Sequence, residues 1–181
     1  INDFIRKTSS NSPTPGGGSV AALLASLAAS LAAMSANLTI NKKGYESVQD
    51  EIKRLAYLFE NKAQIYLEYM NLDINAFNDV MSSYKLKKDT LEEKEYRSKV
   101  IQEKLYKALQ VPYELAKDIY SILDEIKWCY FNSNKNIQSD ALMSMIIARG
   151  AILSCVCNVG MNLKSIKDEY IKEDILTKCE E

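Results

Sequence analysis

Between Ser19 and Thr39 the chain carries no charge, no proline and no glycine, while alanine and leucine dominate. Both are strong helix formers, so the run reads as one long helix. It belongs to a stretch from Pro13 to Lys43, PTPGGGSVAALLASLAASLAAMSANLTINKK, in which a glycine turn feeds the helix. Placed at about 100° per residue, the side chains sort into three faces. Leu23, Leu27, Leu31, Met34 and Leu38 form one, and Ala21, Ala25, Ala28, Ala29, Ala32 and Ala36 a second. Ser19, Ser26, Ser30 and Asn37 line up as a narrow third stripe, with Ala33 beside them. A helix that is apolar all round is expected to be buried in protein or in lipid. The run is long enough to cross a bilayer, but much of it is Ala or Ser and the remaining chain reads as soluble amphipathic helices. The expectation is therefore a buried central post with no membrane partner, its small alanines letting neighbouring helices approach closely.

The flanking chain fits a helical bundle around that post. A short first helix, Asn2 to Ser10, is ended by SNSPTPGGG, where Pro13 and Pro15 block helix and the glycines are expected to supply backbone shapes closed to other residues. Ser19 is an N-cap or first-turn residue of the post. A second long helix spans about Glu46 to Asn71, with Ile52, Leu55, Ala56, Phe59, Ala63, Tyr66, Leu67 and Met70 at helical spacing. Leu72 to Tyr84 continues helical, and Lys85 to Thr90 is a connection. Thr90 with Glu93 has the form of a capping box, opening a helix towards Leu109. Pro112 is expected to interrupt or restart it, with a further helix to Phe131. FNSNKNIQSD is a polar loop, Ser139 with Asp140 opens a helix to about Asn158, and Asn162 to Glu173 is a last amphipathic piece. No strand alternation or repeat is present. The fold class is all-α, one domain over residues 1–181, with a homodimer as the expected assembly.

Composition removes several functions. Lys plus Arg is 23 against 24 Asp plus Glu, which gives no global basic field for nucleic acid. Histidine is absent, so a Ser-His-Asp triad, a Cys-His dyad and a His-bound zinc are excluded within the chain, and no metal site is expected. Acid–base work at neutral pH falls to Asp, Glu, Lys, Tyr or Cys. Cys129, Cys155, Cys157 and Cys179 show no CxxC pair or regular framework, which reads as reduced thiols in a cytoplasmic protein. Cys155 and Cys157, two apart on a helix, point to nearly opposite sides and suit core packing better than joint metal binding. No signal-peptide pattern precedes an apolar segment.

Three features could carry chemistry. A helix start offers unpaired N–H groups and partial positive charge, and preceding glycines let an anion come close. PGGGSV holds no Lys, so it is not a P-loop, and a carboxylate or a polarised carbonyl is the fitting guest. The plainer alternative is a tight turn that permits close helix packing. Asp140 shares a helix face with Ser144, Ile147, Ala151, Ser154 and Asn158, either as a reacting carboxylate or as a complement to the helix dipole. Asp73, with Phe77 one turn on, has the same two readings. Lys42 with Lys43, and Lys85, Lys87 and Lys88, are solvated lysines or an attraction for an acidic tail.

PTPGGGSVAAL…SLAAMSANLTINKKGY resembles the opening signature of the cyclodeaminase domain of the formiminotransferase-cyclodeaminase family, which includes stand-alone bacterial cyclodeaminases and methenyltetrahydrofolate cyclohydrolases. Later blocks agree in order: Asp73-x-x-Ala76-Phe77, then Tyr84-Lys85-Leu86 with Lys88, Arg97, and Val111-Pro112. Asn134 with Ser139-Asp140 resembles the family's GN….SD element, and Asn158-Val159…Asn162-Leu163 its NV.INL element. Ser133 stands where Gly is expected before Asn134, and Lys87 where Pro is usual.

The resemblance implies an all-helical, dimerising domain that binds tetrahydrofolate derivatives in a cleft lined by Pro15, Gly16, Gly17, Gly18 and Ser19. Asn37, Asn134, Ser139 and Asn158 join the binding set by the same resemblance. Lys42, Lys88 and Arg97 would meet folate's acidic glutamate tail, with or without further glutamates. Two reactions are implied: closure of a formimino group to 5,10-methenyltetrahydrofolate with loss of ammonia, or opening of the methenyl compound by water to 10-formyltetrahydrofolate. Asp140 is the first candidate to move protons and Asp73 the second. No cofactor is expected beyond the tetrahydrofolate substrate. The alternative is a catalytically inactive helical folate-binding or homo-oligomeric interaction protein.

Overall fold

Of the chain, the computed structural model describes residues 1–180, which form seven α-helices and two short 3₁₀ turns with no strand among the described residues. The order is α1 (Asn2–Thr8), α2 (Gly17–Asn37), a 3₁₀ turn (Glu46–Val48), α3 (Gln49–Ser83), α4 (Leu91–Tyr120), α5 (Leu123–Asn132), a second 3₁₀ turn (Lys135–Ile137), α6 (Gln138–Leu163) and α7 (Glu169–Glu180).

The uncharged run is α2, which lies between α3 and α6. Its alanine face is the buried one: Ala21, Ala22, Ala25, Ala28, Ala29, Ala32, Ala33 and Ala36 all lie in the main core. The opposite face corrects the expectation of burial all round. Leu27, Met34 and Leu38 are 46%, 45% and 48% exposed. The reason is steric. Two long helices close on one side of α2, and a methyl group there lets their backbones approach where a leucine would hold them apart. The serine and asparagine stripe is used for stitching to α3 and to α2 itself. Ser26 Oγ donates to the Ala63 carbonyl at 2.8 Å, Ser30 Oγ to the Ser26 carbonyl, and Asn37 Nδ2 to Glu60 Oε1 at 2.8 Å.

The two helices expected at Glu46–Asn71 and Leu72–Tyr84 are one, since α3 runs unbroken for 35 residues. Of its expected apolar positions, Leu67 alone is left on the surface, while Ile52, Leu55, Ala56, Phe59, Ala63 and Tyr66 are buried. The capping box opens α4 as expected: Glu93 N donates to Thr90 Oγ1 and Thr90 N to Glu93 Oε2, both at 3.2 Å. Pro112 does not break α4. A proline lacks the N–H that would bond to the carbonyl four residues back, and the Ala108 carbonyl accepts instead from Asn162 Nδ2 at 3.1 Å. The break falls at Ser121 and Ile122, before α5. α6 continues five residues past the expected end at Asn158, and the last helix begins later than Asn162, at Glu169.

α6 runs antiparallel to α2. Asn134 N donates to Thr39 Oγ1 at 2.9 Å, Ser144 Oγ donates to the Ala28 carbonyl at 2.7 Å, and Asn158 stands against Gly17. A second, smaller core joins Val80, Ile101, Leu105, Leu109, Val159, Leu163, Ile166 and Ile175. It gathers the ends of α3 and α6 that lie nearest the start of α2.

Candidate active site

The start of α2 is built by close approach, not by unusual torsions. Gly16 is the extended residue before the helix, with φ −115° and ψ −158°, and none of the three glycines has a positive φ. The expected need for special backbone shapes is thus corrected to a need for space. A Cβ placed on Gly18 would lie 2.1 Å from Asp73 Oδ1 and 2.6 Å from Asp73 Cγ. At Gly17 the nearest atom to such a Cβ is Asn158 Oδ1 at 3.4 Å, an ordinary contact.

The anion at this helix start is therefore the chain's own Asp73 carboxylate. Ser19 is a first-turn residue, not an N-cap, and its fully buried hydroxyl donates to Asp73 Oδ2 at 2.8 Å. First-turn N–H groups have no acceptor within the helix, and the helix dipole favours negative charge there. Asp73 is carried by α3, which puts it beside Ser19 by the same antiparallel packing that sets Ala63 against Ser26.

A cavity of about 350 Å³ opens over this pair. Gly16, Gly17, Gly18, Asp73, Asn158 and Asn162 line its polar side, and Phe77, Val80, Met81 and Leu105 give an apolar wall. Asp73 is the sole carboxylate among the lining residues. Tyr84 stands at the edge, and Arg97 is fixed behind it: the guanidinium donates to the Tyr84 carbonyl at 3.0 Å and lies 5.8 Å from its ring centroid. Lys88, four residues beyond Tyr84, is exposed in the loop that leaves the cavity. Beneath the floor, the buried Cys155 thiol is pushed up to about 12, by burial first and then by the charge of Asp73, so it stays protonated at neutral pH.

Of the residues singled out in the sequence, this arrangement brings together Gly16, Gly17, Gly18, Asp73 and Asn158, with Ser19 tied to Asp73 and Pro15 buried beside the turn. Apart from Lys88 and Arg97, which stand by Tyr84 at the cavity edge, the others lie towards the far end of α2. Asn37 borders a separate groove with Ser30, Met34, Leu38, Glu60 and Gln64. Asn134 is buried at Thr39, Lys42 and Ser139 are exposed, and Asp140 is half-buried in the first turn of α6. Ser144 meets Ala28 and Asp140 lies one turn further on, while Asp73 meets Ser19. At 1.5 Å per residue the two carboxylates are about 20 Å apart along α2. Two residues went unnoticed as site residues. Asn162, one turn after Asn158, and Pro112, four after Ala108, show in the sequence only as members of the family-like blocks, and nothing there ties either to the cavity or to the other.

The formiminotransferase-cyclodeaminase family profile matches residues 1–181. A methenyltetrahydrofolate cyclohydrolase of Methylorubrum extorquens is 33% identical over 180 residues, 99% of this chain and 86% of its own length. The formimidoyltransferase-cyclodeaminase of Gallus gallus is 30% identical over 174 residues, which is 96% of this chain but 32% of that protein. The chain thus spans about a third of such longer relatives. A solved structure, formiminotetrahydrofolate cyclodeaminase from Thermotoga maritima, superposes with a TM-score of 0.87 at 30% identity, covering 99% of this chain and 86% of that one.

Proposed function

The chain belongs to the formiminotransferase-cyclodeaminase family, and from that premise we propose that it is a tetrahydrofolate one-carbon enzyme acting at the Asp73 cavity. It either closes 5-formiminotetrahydrofolate to the 5,10-methenyl compound with release of ammonia, or opens that compound with water to 10-formyltetrahydrofolate. The observation that carries the site assignment is the carboxylate of Asp73 set over Gly18, on one wall of a half-apolar cavity.

Both reactions pass through a tetrahedral carbon. In closure, N10 of the folate bonds to the formimino carbon and gives up its proton, and the former imine nitrogen is protonated and leaves as ammonia. In opening, water bonds to the methenyl carbon and gives up a proton, and the bond from that carbon to N5 breaks as N5 is protonated. Each needs one group to take a proton and return it within reach of the carbon, and the alignment of nitrogen, carbon and nucleophile. Asp73 is proposed as that group, held in place by Ser19. Phe77, Val80 and Met81 suit the flat face of the pterin, and Lys88 and Arg97 lie on the side where an acidic tail would leave. No cofactor enters either scheme.

The protein is proposed to act in the cytoplasm as a homodimer joined through the outer face of α2 and the adjoining side of α6. Leu27, Met34 and Leu38 on α2, with Leu142, Met143, Ile146, Leu153 and Met161 on α6, are exposed large apolar side chains. Together they amount to on the order of 700 Å², close to the ~800 Å² per partner of a standard interface. The stretches Gly17–Asn37 and Lys135–Leu163 are also long and apolar enough to cross a membrane. A second copy is the better cover, because the alanine side of α2 is buried in the main core and its large exposed side chains, Leu27, Met34 and Leu38, lie on the opposite side. Antiparallel pairing of the two α2 helices sets the positive start of one against the negative end of the other. That pairing would carry Asp140 of one copy towards the Asp73 cavity of its partner.

The direct test is incubation with 5-formiminotetrahydrofolate and, separately, with 5,10-methenyltetrahydrofolate, following the methenyl absorbance. Its appearance marks the closing reaction and its decay the opening one. No change with either, alongside measurable folate binding, would establish the inactive binding protein instead.

A further inference from the structure

Two asparagines in the cavity have their amide orientations fixed. Oxygen and nitrogen of an amide are told apart by their hydrogen bonds. A backbone carbonyl can only accept, so the atom of Asn158 that lies 3.0 Å from the Ser154 carbonyl is its Nδ2, and the atom of Asn162 that lies 3.1 Å from the Ala108 carbonyl is its Nδ2. Each side chain therefore has its Oδ1 left to offer. No donor among the described residues reaches either oxygen, and both residues line the cavity. Spaced i, i+4 on α6, they stand one above the other with about 5–6 Å between their Cβ atoms. A pair of oriented acceptors repels an anionic or carbonyl edge and asks for a ligand edge that carries N–H groups.

Asn158 can use a carbonyl one turn back on its own helix, but Asn162 is held by another helix. Inside a regular helix every carbonyl is already engaged by the N–H four residues on. Ala108 is the exception in α4 because residue 112 is proline and has no N–H to give.

We infer that Asn158 and Asn162 recognise the N–H-bearing edge of the pterin ring, and that Pro112 is a positioning residue that frees the Ala108 carbonyl to hold Asn162 in its recognising orientation. The inference rests on the folate reading above and adds to it the subsite for the ring. A reduced pterin offers such donors at its 2-amino group, N3 and N8. Asp73 is then left to the reacting carbon, and the asparagines fix the ring that bears it.

The test compares binding of tetrahydrofolate with that of its 2-desamino-2-methyl analogue, by calorimetry. The wild-type protein is expected to prefer the amino compound by at least about 10-fold. In Asn162→Ala and, independently, in Asn158→Ala, at least one preference should fall to within about 3-fold, with the helical circular dichroism unchanged. In Pro112→Ala the helix regains its bond to Ala108. The melting temperature should hold or rise while KM increases by about 10-fold and kcat changes little. Adding Pro112→Ala to Asn162→Ala should cost no further affinity. Preference unchanged in both asparagine variants overturns the recognition pair, and an equal effect of Pro112→Ala with and without Asn162 overturns the positioning role. Failure of the wild-type protein to bind tetrahydrofolate at all would instead overturn the folate reading.

Discussion

At Gly18 a hydrogen is required because the next position in space belongs to the Asp73 carboxylate. The glycine block was legible in the sequence as a helix start that could receive an anion, and Asp73 as a candidate carboxylate. Their pairing was not, because the contact spans more than fifty residues and nothing local in either segment announces it. The two neighbouring glycines now separate in their consequences. Gly18→Ala must displace the carboxylate, and we expect kcat to fall by at least about 100-fold; Gly17→Ala, with only an ordinary contact to Asn158, should stay within a few-fold. Steady-state rates of the two variants, with melting temperatures to exclude unfolding, check this.

The two buried cysteines make the stability depend on pH. Burial pushes the thiols of Cys129 and Cys155 up to about 12 from an ordinary value of 9.0. Both are therefore protonated more tightly in the folded chain than in the unfolded one. Their contribution is fully present below pH 9 and is lost as pH rises towards 12, by about 1.4 kcal/mol per thiol for each pH unit in that window. Urea titrations at pH 8 and pH 10 should show a fall in stability, and the Cys129→Ala, Cys155→Ala double variant a shallower one. Equal slopes in the two proteins would contradict the assignment.

Among the elements, α2 shows how much a residue pattern decides and where it stops. Its existence, length and three faces follow from propensity and spacing alone. Which face turns inward does not, because the choice depends on α3 and α6 closing to a distance only alanine allows. Hydrophobicity alone ranks the leucine face first for burial, and packing reversed the order. α4 makes a similar point, since a proline that should break a helix is retained where its orphaned carbonyl has a use. Substitutions on the two faces of α2 should differ accordingly. Leu27→Arg, on the exposed side, is expected to leave the monomer folded and abolish the dimer, as read by sedimentation at micromolar concentration. Ala25→Leu, fully buried, should destabilise by about 1–3 kcal/mol through overpacking. A stable wild-type monomer would remove the proposed interface.

The candidate residues divide between the two ends of α2, with the exposed Leu27, Met34 and Leu38 between them. The all-helical architecture and the family were legible from the glycine block, the capping box and the spacing of the later motifs. The division of the candidate residues between the ends was not, because it depends on α6 running antiparallel to α2. If the proposed pairing carries Asp140 to the partner's cavity and turnover needs both carboxylates, each variant alone should be inactive and equal mixing of Asp73→Asn and Asp140→Asn chains should restore about a quarter of wild-type activity. Half of the dimers are then mixed, and one of the two sites in each holds both carboxylates. Full activity of Asp140→Asn alone, or no recovery on mixing, would contradict the shared site. The claim on which all of this depends is that Asp73 moves protons in the chemical step. Single-turnover rates of Asp73→Asn, followed by methenyl absorbance with saturating substrate, test it most directly. Folding and folate affinity should stay near those of the wild type, with a rate at least about 100-fold lower. A rate within a few-fold of wild type would contradict it.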